Sequence, residues 1–450
     1  MQPFPDPSSD PVTAAPSAPT ARDTRKKRRP DEQPGAARRA AFTRAAIGLE
    51  AEFAVVMDGR QVKPEQLFSS PTAIVREPMM HRTGRSYHLP TGSAVYFDTG
   101  VIELATPVVE LEPGCAARAG RLLWESILFL RQELDAWQQR EMKEVQLAGF
   151  STHYNISFDV PESERGPHRT VEKLAWLLTH VLPAPVMLLG ANRRSTGIGV
   201  RPRGNRIEIT ADFTPDAGMM IAAATVIVGI TRAVMSWASY ELGELDIRGI
   251  PTFAHLRPET HSSRQGWVAR FSSYPENPFT CDIDRPMWET RDGGVLSLRE
   301  LAGRTTRRFS RSIREISDPL TLRLIGAVMR GRAPSLLELP DRPDSYMDVG
   351  RLCRWEDLFP ERMLPRSRYE RILLHAVSGE PLLMDPDLYT PTGMEGWSHV
   401  VFRRERDGTR HVFSLDELMD HLRGWGTGSN RGRRQGPRRT RTSRTSRRRG

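Results

Sequence analysis

Residues 46–57 read AIGLEAEFAVVM. Ile47, Leu49, Ala51, Phe53, Val55 and Met57 fall on one face of an extended chain, and Glu50 and Glu52 share the other. That alternation is the pattern of a strand buried on one side. Two carboxylates roughly 6–7 Å apart on a sheet repel each other by about 2–3 kcal/mol at an effective dielectric near 20. Water or a cation must offset them.

The same polar face recurs downstream. STHYNISF at 151–158 sets Ser151, His153, Asn155 and Ser157 opposite Thr152, Tyr154, Ile156 and Phe158. NRIEITADF at 205–213 sets Arg206, Glu208, Thr210 and Asp212 opposite Ile207, Ile209, Ala211 and Phe213. AVYFDTGVIELA at 94–105 reads as a further strand that carries Glu103, with a turn-like Asp98-Thr99 beside Gly100. One polar face is ordinary for a half-solvated sheet. Solvated strand faces favour Thr, however, and Asp and Asn are depleted in strands, so repeated Glu, His, Asn and Asp indicates a charged concave face that binds a ligand.

A two-residue turn at Gly204-Asn205 sets Arg203 opposite Arg206 and Arg201 opposite Glu208. Facing arginines call for an anion, and guanidinium grips phosphate through paired hydrogen bonds. Carboxylates, a histidine and arginines on one sheet suit Mg²⁺ held together with nucleotide phosphates. Neither GxxxxGK(S/T) nor a GxGxxG after a strand occurs, which argues against a P-loop or Rossmann site.

Helical spacing joins Leu123, Ile127, Leu130, Leu134 and Trp137 after the Pro113-Gly114 breaker. Further helices are expected over 170–182 and 217–240. The apolar core of the latter, AGMMIAAATVIVGI at 217–230, is too short to span a bilayer and reads as buried. Beyond residue 250 come Pro-rich loops, helical stretches near 296–331 and 367–378, and a helix over 414–423 opened by Ser414 with Glu417 three residues on. Mixed hairpins and long helices predict an α+β fold, a mostly antiparallel sheet backed by helices.

At 450 residues and 38% hydrophobic content the chain can bury a substantial core. Its net charge of +10 is confined to the ends. The last 20 residues hold ten arginines and no acid, and residues 1–44 carry a net +4. Between 45 and 430, 46 basic side chains face 50 acidic ones, so the body has no basic excess to mark it as a nucleic-acid binder. Five lysines against sixty arginines reflect coding bias. Cys115, Cys281 and Cys353 form no CxxC pair and suggest neither a disulfide framework nor structural zinc, which fits a reducing cytoplasm. The expected organisation is a disordered leader over 1–44, a catalytic sheet domain over 45–250, a region over 251–424 that continues that domain or is accessory to it, and a disordered Arg-rich tail over 425–450. No membrane partner is expected.

GLEAEF at 48–53, IELATP at 102–107, STHYNIS at 151–157 and RPRGNRIEITAD at 201–212 together resemble the carboxylate-amine ligase superfamily of glutamine synthetase fold, which includes the glutamate-cysteine ligases and other amidoligases. The resemblance spans roughly residues 46–250. It implies an ATP-dependent ligase in which a carboxylate attacks the γ-phosphate and an amine displaces phosphate from the acyl phosphate. It further implies Glu50, Glu52, Glu103, His153 and Glu208 as ligands of Mg²⁺ or Mn²⁺ beneath ATP. Arg201 and Arg206 are implied as catalytic phosphate contacts, and Asn155, Asn192, Arg193 and Arg194 as ATP or substrate contacts. Asn155 stands where many glutamate-cysteine ligases have a second histidine. The implied partners are small carboxylates and amines, an amino acid or a protein side chain being admissible.

Other readings compete. On this fold the chain could be an amide hydrolase or an inactive member. Alternatively it is a nucleic-acid-associated protein whose RKKRRP at 25–30 and arginine tail make weak, sequence-independent contacts. Taken alone, His153 reads as a structural histidine, and its alternation with Asn155 reverses that. His81 and His88 read as solvated loop residues, and Trp288, Trp355 and Trp397 as core.

Overall fold

The strand read from residues 46–57 runs over Thr43–Met57 in the computed structural model and lies deep inside a twelve-stranded antiparallel sheet. The structure describes residues 43–159, 166–195, 197–260, 267–270, 276–339, 342–355, 366–384 and 386–423. The leader expected over 1–44, apart from its last two residues, and the tail expected over 425–450 lie outside them.

Across the sheet the strands run in the order Arg257–Thr260, Trp267–Arg270, Ile198–Arg203, Arg206–Asp212, Gln146–Asp159, Thr43–Met57, Val101–Ala105, Ala94–Asp98, Ser86–His88 and Met80–Thr83. Ile47, Leu49, Ala51, Phe53 and Val55 are buried on the face that meets the helices. The Cys115–Glu141 helix packs there against the first strand and against the Ala217–Met235 helix. Alternation thus decides which face becomes core and leaves the acids on the other.

Three elements differ from the sequence expectation. The stretch 94–105 is two strands, Ala94–Asp98 and Val101–Ala105, joined by a turn in which Thr99 and Gly100 both take positive φ, 52° and 96°. Two left-handed residues match the twist of a tight hairpin, and a threonine is an uncommon occupant of the first position. The apolar helix stops at Met235 rather than 240. Trp237 and Tyr240 lie beyond its end in non-helical backbone and still reach the core. This helix is long and apolar enough to cross a membrane, but 83% of its apolar window is buried in the protein, as befits a core helix. The third difference is a bulge. The first strand pairs Glu52 with Ser151 but Phe53 with Gly149, so Phe150 is squeezed out and 55% exposed. At Gly149 a Cβ would come within 2.4 Å of the Phe213 ring, so only glycine fits there.

The Leu298–Arg308, Ser310–Ile316 and Pro319–Val328 helices join the main core, as does Trp355. Residues 366–423 instead form a small unit with its own core of Ile372, Leu373, Met394, Val400, Phe402 and Leu418. Its antiparallel sheet runs Leu382–Met384, Asp387–Glu395, His399–Arg404 and Arg410–Ser414. Two helices with Ser–Glu caps flank it: Ser367 accepts from the Glu370 N–H, and Ser414 accepts from the Glu417 N–H at 3.2 Å. The unit is tied to the main body by a buried ion pair, Arg121 to Glu370 at 3.1 Å, and by packing of its Asp387–Glu395 strand on the Met80–Thr83 edge strand.

Candidate active site

Register brings the acids together. Glu50 lies opposite His153 on one neighbouring strand, and Glu52 lies opposite Glu103 on the other. His153 Nδ1 is 3.3 Å from Glu50 Oε2, and its Nε2 is 3.5 Å from Glu52 Oε1. The Ser151 hydroxyl donates to Glu52 at 2.6 Å, and the Tyr96 hydroxyl donates to Glu103 at 2.5 Å. The repulsion expected between Glu50 and Glu52 is therefore relieved within the protein by a bridging imidazole and a hydroxyl.

Ligating atoms of Glu50, Glu103 and His153 all lie within 4.8 Å of one another. Burial pushes both carboxyls up. At Glu50 the hydrogen bond and charge of His153, with Arg206 behind, outweigh burial and hold the group at about 2. Glu103 is pushed up to about 9 by burial and then by the charge of Glu50. Tyr96 is raised well above its usual range by burial and the charges of Glu50 and Glu103. One acid of this group thus keeps its proton because positive charge is short. Two carboxyls and an imidazole from three adjacent strands are hard donors of the kind Mg²⁺ and Mn²⁺ take, and a dication would relieve that shortage. The residues fit such an ion.

Glu208 lies opposite Arg201, and Arg203 opposite Arg206, as the hairpin turn dictates. The anion between the arginines is nevertheless internal. The Glu208 carboxylate pairs with Arg201, lies 3.2 Å from Arg203 Nε and 3.9 Å from an Arg206 guanidinium nitrogen. Facing arginines here need no phosphate to hold them apart. Glu208 Oε1 is also 4.0 Å from His153 Nδ1, so Glu208 and Glu52 border the three-residue group without being in it. Arg201 is 4% exposed against Glu208, whereas Arg206 is 39% exposed, donates to Asn155 Oδ1 at 3.0 Å and can reach a ligand.

Asn192, Arg193 and Arg194 are not among the three clustered ligating residues, and Asn192 meets the polar face at Asp212. The Asn192 N–H donates to Asp212 at 2.9 Å, and its own carbonyl side chain accepts from the Arg194 N–H. Arg193 donates to the carbonyls of Leu337 and Thr280 and so ties the loop to the C-terminal segments. Asp212, at the end of the polar face, is pushed up to about 6 by burial. His88 is fully buried beneath Trp397 rather than solvated, and burial holds it at about 4. His81 bonds to the Gly84 carbonyl. Trp288 and Trp355 are core residues as expected; Trp397 is not, being half-buried at a pocket wall with Arg82 over its ring.

Tyr96 and Arg82 were not anticipated. The turn at Thr99-Gly100, once recognised, sets Tyr96 opposite Glu103. Arg82 has no local signal, because a separate part of the chain creates its neighbourhood.

Two hollows flank the acids. The larger, of ≈ 620 Å³, is lined by Glu50, Tyr96, Arg82, Asn155, Arg206 and residues of the small unit including Trp397. The smaller, of ≈ 440 Å³, is lined by Glu52, His153, Ser151, Arg201, Phe150 and Asp212.

No family model matches the chain, and no curated protein matches it. Among solved structures, the complex of the prokaryotic ubiquitin-like protein Pup with its ligase PafA aligns at 12% identity and TM-score 0.47, over 87% of this chain and 94% of that one. PafA in complex with ADP aligns at 11% identity and TM-score 0.41, over 80% and 93%. A GmaS–ADP complex aligns at 10% identity and TM-score 0.29, over 73% and 72%.

Proposed function

We propose that the polar face is the active site of an ATP- and divalent-ion-dependent ligase that joins a carboxylate to an amine. The observation that carries this reading is the convergence of Glu50, Glu103 and His153 from three strands, between two hollows, one of which holds Arg82 and Arg206. The motif resemblance at 48–53, 102–107, 151–157 and 201–212 supports it.

In this reading the larger hollow takes the nucleotide and the smaller one the acid substrate, with the acidic group between them. Glu50, Glu103 and His153 would hold Mg²⁺ or Mn²⁺. Bound there, the ion would neutralise phosphate charge. Arg206 and Arg82 bind phosphate oxygens and orient the γ-phosphoryl group toward the second hollow. The substrate carboxylate oxygen then bonds to the γ-phosphorus as the bond to ADP breaks. An amine nitrogen adds to the acyl carbon, inorganic phosphate leaves with the C–O electron pair, and the amine loses a proton. Arg201, held by Glu208, supplies a fixed positive wall on the acid side. Positioning and charge neutralisation are what such a reaction asks of the protein. The three cysteines are free and buried, in keeping with a cytoplasmic, reducing setting.

The test is ADP release and amide formation with Mg²⁺ and ATP against a panel of amino acids and amines. The expected result is release that depends on both an acid and an amine. Amide cleavage without ATP would replace the ligase with a hydrolase, and turnover unaffected by Glu50→Gln would remove the site.

A further inference from the structure

The charge of the folded body is not spread evenly. Residues 298–332 hold nine arginines and three acids, although residues 45–430 as a whole have more acids than bases. Arg304, Arg307, Arg308, Arg311 and Arg314 recur at spacings of three, one, three and three along the Leu298–Arg308 and Ser310–Ile316 helices, and all five are exposed. Only Phe309 separates the two helices, so the five fall on one side of a nearly continuous rod. Leu301, Ala302, Ile313 and Ile316 take the other side into the core. The seat is close: a Cβ at Gly229 would come within 2.8 Å of Ile313 Cα, so glycine lets the second helix lie on Ala217–Met235 with its arginines held outward. None of the five lines either hollow beside the acids.

A solvated helix face ordinarily mixes its charges, because pairs of opposite sign at i,i+4 stabilise it and like pairs oppose it. Here Arg304–Arg308 and Arg307–Arg311 are like pairs. Glu315 is shared between Arg311 and Arg232 at 3.2 and 3.1 Å, Asp292 lies near Arg304, and Glu300 turns back to cap Ser297. Coding bias explains why these cations are arginines, but not why they are gathered.

We infer that this arginine stripe docks the phosphate backbone of double-stranded nucleic acid, a surface separate from the active site and independent of the ligase reading. From 304 to 314 the stripe is about 15 Å long, and a duplex offers a phosphate every ~3.4 Å of axis on each strand, so several guanidinium groups can each grip one. Phe309 is the one aromatic residue in 298–332, and it is buried. Nothing on the stripe stacks on an unpaired base, which favours a duplex over a single strand and contact without sequence preference. A protein partner would meet an apolar centre inside a charged rim. Phe309 and Ile313, the large apolar residues between 304 and 314, are both buried.

Fluorescence anisotropy of the full chain with a labelled random-sequence DNA duplex, over roughly 50–200 mM salt, tests the inference. Arg304→Gln, Arg307→Gln, Arg311→Gln and Arg314→Gln combined should weaken binding about tenfold or more and flatten the log–log salt slope by about 3. The same change of charge at the exposed Arg60, Arg76, Arg257 and Arg406 should move the slope by less than about 1. Glu315→Gln, which frees Arg311 and Arg232, should tighten binding by about twofold or more, a gain that a misfolded chain cannot produce. Residues 431–450 carry ten further arginines, so a parallel chain with those ten changed to Gln should keep the stripe-dependent part of the slope. A stripe variant with the wild-type slope overturns the inference, as does duplex binding that disappears entirely with the ten terminal arginines. A wild-type chain that binds no duplex at about 50 mM salt also overturns it. Tighter binding of a polyglutamate peptide than of a duplex of equal charge would make the stripe a dock for acidic protein and overturn it too.

Discussion

Two neighbouring parts of one polar face, which meet at His153, treat their acids in opposite ways. Around Glu50 and Glu103 carboxyls outnumber cations, and the face balances itself by keeping a proton on Glu103 at a pKa of about 9. Four residues along the hairpin strand from Asp212, Glu208 is enclosed by Arg201, Arg203 and Arg206. Glu103 and Glu208 are both buried, so solvent does not explain the difference between them. What differs is the count of fixed positive charges. An acid that must hold a proton is free to exchange it for a metal, whereas an acid already compensated by guanidinium serves to hold those guanidinium groups in place. The same residue type thus builds an ion site in one part and scaffolds arginines in the other.

The contrast breaks most sharply at Glu50. Glu50→Gln should lower ADP release by about 10²–10³-fold, and Mn²⁺ binding followed by paramagnetic resonance should fall with it, since one charged donor of three is lost. Its melting temperature should fall modestly, since glutamine gives up the His153 and Arg206 charges that hold the Glu50 carboxylate at about 2 while it spares Glu103 a neighbouring charge. Glu208→Gln should behave in the reverse sense. Removing that carboxylate leaves Arg201 buried without its charge partner, for a cost of about 3 kcal/mol in denaturant unfolding, while Mn²⁺ affinity stays within about tenfold. Should Glu208→Gln abolish ion binding at unchanged stability, Glu208 is a ligand and the two parts are alike.

Much of this face was legible in the sequence because strand alternation has period two and requires no tertiary information. Glu50, Glu52, His153 and Glu208 were placed on one side by spacing alone, and the Gly204-Asn205 turn fixed which arginine met which residue. What alternation does not give is direction within the face. The arginines turned inward to Glu208, so the anion inferred from their opposition proved to be the protein's own carboxylate. The turn-like Asp98-Thr99 shows in 94–105, but the stretch still reads as one strand because threonine seldom takes a left-handed turn position, and the placing of Tyr96 opposite Glu103 is missed with it. The small sheet over 382–414 left no clean alternation, since Pro391 and Gly393 interrupt its longest strand at a register shift. Arg82 and Trp397 come from segments more than 300 residues apart, a contact that no local pattern encodes.

Asp212, beyond the arginines, sharpens the comparison, because it is half-buried and its charged neighbour is Arg342 rather than a second carboxylate. Burial raises it from 3.8 to about 6. A carboxyl raised on folding contributes its stability below the unfolded value and loses it as pH rises through the folded one. Wild type should therefore lose up to about 3 kcal/mol relative to Asp212→Asn between pH 4 and 8. Asparagine keeps an acceptor for the Asn192 N–H. Denaturant midpoints of the two proteins should converge below about pH 4 and separate at pH 8, with the variant the more stable. Equal separation at both pH values would show that the charge is not what the fold resists.

The smallest effect tests how the Glu208 cage is shared. Arg203 is 27% exposed on its side chain and bonds Glu208 at 3.2 Å, whereas Arg201 is buried against the same carboxylate. A partly solvated guanidinium contributes at most about 1 kcal/mol, because water screens it and can replace it. Arg203→Ala should therefore shift the unfolding midpoint only slightly and leave Arg201 seated, with ADP release within a few-fold of wild type. If Arg203→Ala instead costs as much stability as Glu208→Gln, the cage works as one cooperative network. The neutralised part of the face would then depend on all three arginines rather than on the buried one.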